Sequence, residues 1–149
     1  PELKYPSSIN KLLKDHNKNI KLKVEKENGE RSIYENYVKE YKDNNITHLV
    51  FYELNGEVNA GFTTNIKTLS FNEKGKNVNL KEYLEHIGKN YDDIKMKYIE
   101  LQGNLLKEDS TLLKSEINPD LMYYVKDNIL YMLAGSNEWG MIFVEINLT

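Results

Sequence analysis

The sequence predicts an α+β fold made by tandem duplication of one unit, helix(-helix) then antiparallel β-meander. Three observations carry this. Residues 121–148, LMYYVKDNILYMLAGSNEWGMIFVEINL, read as three successive strands. A second set of strand signals lies upstream of it. Amphipathic helical stripes precede both.

In the downstream set, 121–126 and 129–134 are aromatic and apolar runs around Asp127-Asn128, a pair suited to a type I′ hairpin turn. Ser136-Asn137-Glu138 is expected to be a loop and Trp139 to Ile146 the third strand.

From the N-terminus, Ser7-Ser8 can cap a helix whose stripe is Ile9, Leu12, Leu13 and His16. Ile20, Leu22 and Val24 alternate with lysines and read as a strand, with Asn28-Gly29 as a turn. Ser32 and Glu35 match a capping box, and Ile33, Tyr34, Tyr37, Val38 and Tyr41 predict a helix that Asp43-Asn44-Asn45 ends. His48–Leu54 and Glu57–Phe62 flank Asn55-Gly56, the strongest short hairpin signal in the chain, and Ile66–Phe71 follows as a third strand. After a polar link, Asn79 and Glu82 cap a helix with stripe Leu80, Tyr83, Leu84 and Ile87, which Gly88 can stop. A second helix is expected from Asp92 through Ile94, Tyr98 and Leu101 to Gly103, and 104–119 carries only Leu105-Leu106 and Leu112-Leu113 as anchors.

The duplication rests on spacing. The stripes Ile9/Leu12/Leu13/His16 and Leu80/Tyr83/Leu84/Ile87 are offset by 71, as are Lys18-Asn19 and Lys89-Asn90, and the turns Asn55 and Asp127 stand 72 apart. The repeats are then 1–75 and 76–149, together forming one compact domain.

Alternation assigns faces. Leu49, Phe51, Val58, Ala60 and Phe62 share one face, as do Leu121, Tyr123, Val125, Leu130, Met132 and Ala134, and this is the face expected under the helices. The opposite face carries Val50, Tyr52, Leu54, Glu57 and Asn59 in the first unit and Met122, Tyr124, Lys126, Ile129, Tyr131 and Leu133 in the second, joined by Trp139, Met141 and Phe143 if Ile142, Val144 and Ile146 go to the core. A solvated sheet face alternates to polar residues, and this one does not. It is therefore covered, by 104–118 or the N-terminus, or it binds a protein partner or a second copy. Tyr52, Tyr124, Tyr131, Trp139, Met141 and Phe143 are the candidate binding residues, because aromatics and methionine are enriched in interface cores.

The stretch Leu84-Glu85-His86-Ile87-Gly88-Lys89-Asn90-Tyr91-Asp92-Asp93-Ile94, followed by Tyr123-Tyr124-Val125 and Asn128-Ile129-Leu130-Tyr131, resembles the β-lactamase-inhibitor-protein-like fold, in particular YjgB-type bacterial envelope domains. The first unit has Lys18-Asn19-Ile20-Lys21 where the Tyr-Asp-Asp should stand, and the usual proline after the second helix is missing. The resemblance implies secretion or surface attachment and protein binding through the sheet face, and carries over no catalytic residues.

Composition narrows the chemistry. The 149 residues are 40% hydrophobic with 11 tyrosines, against disorder. A net charge of −3 gives no electrostatic case for nucleic acid. The absence of cysteine removes disulfides, thiolate metal sites and thiol nucleophiles. His16, His48 and His86 show no metal-binding spacing, and there is no phosphate loop, nucleophile elbow or calcium loop. The expectation is no enzyme, no cofactor, no metal and no membrane span. The leading reading is an extracytoplasmic, non-enzymatic binding domain; the alternative is an intracellular immunity-type inhibitor of a toxin.

Overall fold

The computed structural model describes residues 7, 9–15, 32–57 and 61–149. The expected strand at 20–24, the Asn28-Gly29 turn, the Lys18-Asn19 landmark, His16, Val58, Asn59 and Ala60 lie outside these. The architecture is α+β, 29% helix and 44% strand, with a mixed sheet of seven strands. Helix α1 covers 9–15. Strands β1 (Ser32–Asp43), β2 (Ile46–Glu57) and β3 (Gly61–Phe71) form an antiparallel meander. Helices α2 (Leu80–His86) and α3 (Tyr91–Glu108) follow, then β4 (Leu113–Lys114), β5 (Tyr123–Lys126), β6 (Ile129–Asn137) and β7 (Gly140–Asn147). The strand order is β1-β2-β3-β7-β6-β4, and β5 also pairs with β6.

The second unit follows its local signals. Asn79 and Glu82 exchange both bonds of the capping box. Gly88 takes a positive φ where the helix stop was expected. Asp127 and Asn128 have φ of 50° and 64°, and Lys126 pairs with Ile129. Leu121, Tyr123, Val125, Leu130, Met132 and Ala134 are all buried and join Leu80, Tyr83, Leu84, Ile94 and Tyr98 in the main core. Several boundaries move. β5 begins at Tyr123 rather than at 121, and β7 begins at Gly140, which leaves Trp139 in the preceding turn rather than in the strand. α3 runs on to Glu108 rather than ending at Gly103. β6 continues through Asn137, so the expected loop at 136–138 shrinks to a turn at Glu138-Trp139.

The first unit departs from expectation three times. The expected strands 57–62 and 66–71 are not separate: Glu57 ends β2, and 61–71 is a single strand, β3. Residues 32–43, predicted as a helix behind a capping box, are strand β1. Ile33, Tyr34, Tyr37, Val38 and Tyr41 are β-branched or aromatic types that favour a pleated surface. Asn44 and Asn45, at φ 46° and 65°, close a tight β1–β2 turn instead of ending a helix. The Asn55-Gly56 hairpin turn is also absent: both residues lie within β2, pairing with Thr63 and Phe62 of β3 and with Tyr34 and Ile33 of β1. A strand paired on both sides holds its extended form through a turn-prone dipeptide, and the β2–β3 connection falls at 58–60, outside the described residues. With Asn55 no longer a turn, its 72-residue spacing to Asp127 is not a match between turns.

The parity of β2 survives this shift. Leu49, Phe51 and Phe71 pack with Ile9 and Leu13 of α1. On the other face of β2, Ile46, His48 and Val50 are just as buried; Ile46 joins the core of the second unit, and His48 meets Tyr83 and Tyr123 edge-on.

Candidate functional site

The opposite faces of the two meanders meet each other. Tyr41 and Tyr124 stack with ring centroids 6.0 Å apart, Tyr124 stacks on Tyr131 at 4.6 Å, and Phe143 meets Tyr124 edge-on at 5.6 Å. Such offset and edge contacts contribute about 0.5–1.5 kcal/mol each beyond burial. Tyr37 and Tyr52, cross-strand partners in β1 and β2, stack at 4.7 Å. Lys39 Nζ and Lys126 Nζ sit over Tyr52 and Tyr41 at 5.6 and 5.7 Å. The cover expected from 104–118 or the N-terminus is thus supplied in part by the first meander. In 112–117 β4 pairs with the end of β6 instead, and only Leu112 and Ile117 pack inward.

Of the six candidate binding residues, Tyr124 is 8% exposed and lies between Tyr41 of the first meander and Tyr131 of the second. Tyr52, Tyr131, Met141 and Phe143 are half-buried. Trp139 is 64% exposed at the β6–β7 turn. Burial raises the phenol pKa of Tyr124, Tyr52 and Tyr131, so all three carry their protons. Asn137 Oδ1 accepts from Trp139 N–H at 2.8 Å and its amide donates to Asp109 Oδ2 at 2.9 Å, holding the turn rigid. Gly140 follows, at φ +123° and against the backbone of Thr64 in the single β3–β7 bridge. No side chain fits there. The result is a fixed turn that points its tryptophan outward. Leu113, 73% exposed, lies on β4 beside Ser136 of the same turn region.

At the other end of this face is a cluster that sequence reasoning did not find. His48 Nε2–H donates to Asp43 Oδ1 at 2.6 Å, and His48 Nδ1 lies 2.7 Å from Ser70 Oγ. The Tyr83 hydroxyl and the Asn44 amide donate to Asp43 Oδ2. Burial would raise the Asp43 pKa, but hydrogen bonds from His48, Tyr83 and Asn44 outweigh it and hold the carboxyl below its usual range. Tyr83, buried and facing that carboxylate, is pushed upward. A serine, histidine and aspartate in contact have the composition of a hydrolytic triad. Here serine sits on Nδ1 and aspartate on Nε2, the reverse of the usual assignment. His48 is fully buried and Ser70 is 3% exposed. The arrangement joins the β1–β2 turn, β2, β3 and α2 and leaves little access for a substrate. Asp43 and His48 straddle the Asn44-Asn45 turn, which was the available signal, but Ser70 and Tyr83 are brought in by tertiary structure alone.

Among the described residues no group of three or more His, Asp or Glu is placed to hold a metal, and no helix is long and apolar enough to cross a membrane. No protein-family model matches the chain, and no curated protein matches it by sequence.

Proposed function

We propose that the protein is an extracytoplasmic binding domain that recognises a protein partner through the open end of the aromatic face. The observation that carries this is Trp139: a large aromatic, 64% exposed, on a turn fixed by Asn137, Asp109 and Gly140. Rigid exposed aromatics lose little entropy on binding and are typical interface anchors. Half-buried Met141, Phe143, Tyr131 and Tyr52 continue the same face away from the turn, and Tyr124 is buried among them. The duplication belongs to the same proposal. In both units a helix precedes a meander whose first two strands join through a two-residue positive-φ turn, Asn44-Asn45 or Asp127-Asn128.

A photo-crosslinking side chain in place of Trp139, in source cells, should trap a single protein in the envelope fraction. The same group at Lys97, on exposed α3, should not. Trp139→Ala should weaken the isolated complex by about 1–3 kcal/mol while leaving the melting temperature unchanged. Equal labelling from both positions, or a cytosolic partner, would refute the reading.

A further inference from the structure

The outer edge of β3 holds a short open strand edge that the aromatic end does not use. Along an antiparallel strand the N–H and C=O of one residue point to the same side, and the side alternates. In β3 the residues turned away from β2 are Thr64, Ile66, Thr68 and Ser70. Thr64 is bridged to Gly140, and the Ser70 carbonyl accepts from Val78 N–H at 2.8 Å. Between these closed ends the Ile66 N–H meets only the sulfur of Met141, at 3.3 Å. A thioether is a weak acceptor. Among the described residues, no group meets the Thr68 N–H or C=O.

A cleft of about 280 Å³ opens beside Thr68. Val78, Leu121 and Met122 give it apolar walls, and Lys67, Asn77 and Asp120 line it as well. That volume falls just below the roughly 300–1,000 Å³ of small-ligand sites, enough for a side chain or two.

We propose that this slot takes a short extended peptide of a partner protein, which adds as a strand to β3 and places an apolar side chain in the cleft. Backbone groups repeating every second residue match another extended backbone, with pockets beside the edge reading alternate side chains. The chain's own residues 140 and 78 close both ends, so only about three to five residues fit at ~3.3 Å each. A flexible tail or loop meets that limit, whereas the long β1 edge of a second copy does not. Lys67 and Asp120 suit a peptide of mixed charge. The inference goes beyond the Trp139 reading and stands or falls separately from it.

The test is a screen of the intact protein against an immobilised library of random, unstructured heptapeptides. Bound peptides are expected to slow exchange of the Thr68 amide. Single N-methylation scanned along a bound peptide should weaken binding about tenfold at alternate positions, as loss of one backbone hydrogen bond does. Thr68→Pro, at an edge where proline is tolerated, should weaken binding at least as much, and Trp139→Ala should leave it unchanged. If the proline variant does not fold, the N-methyl scan on the wild-type protein decides. The proposal is overturned if no peptide binds by about 1 mM, if N-methylation acts without alternation, or if Thr68 exchange is unaffected.

Discussion

The two meanders share strand chemistry and differ in what covers them. β5, β6 and β7 lie under α2 and α3, and Leu84, Leu130, Met132, Val144 and Ile146 close a core that the second unit largely supplies itself. β1, β2 and β3 have a small cluster of Leu49, Phe51 and Phe71 beneath α1, and their other face leans on the second unit through Ile46, His48 and Tyr41. One unit is a scaffold and the other is docked on it. The docked unit covers part of an aromatic face, burying Tyr124 and leaving Trp139 exposed at the far end.

The largest expected effects test this asymmetry. Leu130 and Leu49 are both fully buried. Leu130→Ala should cost about 4–5 kcal/mol in urea unfolding, and Leu49→Ala about 2–3, because the smaller cluster under α1 can collapse into the space. Unfolding of both should remain a single transition. Two transitions would make the units independent and break the comparison.

The buried cluster comes next. His48→Ala removes the ring that ties Asp43 to Ser70 and leaves both without that partner, which should cost about 2–3 kcal/mol in the same measurement. The associated pH dependence has a definite sign. The folded Asp43 pKa is depressed, so as pH falls the unfolded chain takes up the proton first. The stabilisation is complete above the ordinary value of 3.8 and is lost as pH drops below it through the folded value. Asp43→Asn should flatten that part of a melting-temperature profile. An unchanged acid limb would show that the cluster does not hold the units together.

Gly140→Ala sharpens the comparison at the opposite end. A methyl group there meets the Thr64 backbone at a positive φ, so the single β3–β7 bridge should open at a cost of about 1–3 kcal/mol. Faster amide exchange at Thr64 and Met141, with β5 unaffected, is the expected signature. The smallest effect is that of Trp139→Ala, which should stay within about 0.5 kcal/mol of wild type in the unfolding assay.

The same asymmetry explains what the sequence revealed. In the second unit Asn79/Glu82, Gly88 and Asp127-Asn128 act locally, and each did what its type predicts. In the first unit the signals compete. Ile33, Tyr37, Val38 and Tyr41 fit a helical stripe as well as a strand, and only the twelve-residue pairing with β2 decides between them. That pairing also carries β2 through Asn55-Gly56. The leftover apolar face was legible from alternation. Its cover is not, because the 32–43 pattern fits a helix as well as a strand, and only as a strand does it bring Tyr41 to this face. Trp139 could be placed on that face, but its exposure depends on a turn one residue shorter than its sequence suggests.

The docking of the two units is tested most directly by a double-mutant cycle on Tyr41 and Tyr124, which stack across the boundary at 6.0 Å. Urea unfolding of Tyr41→Ala, Tyr124→Ala and the double variant should give a coupling energy of about 0.5–1.5 kcal/mol. Strictly additive costs would mean that the rings do not meet, and that the first meander does not cover this face in solution.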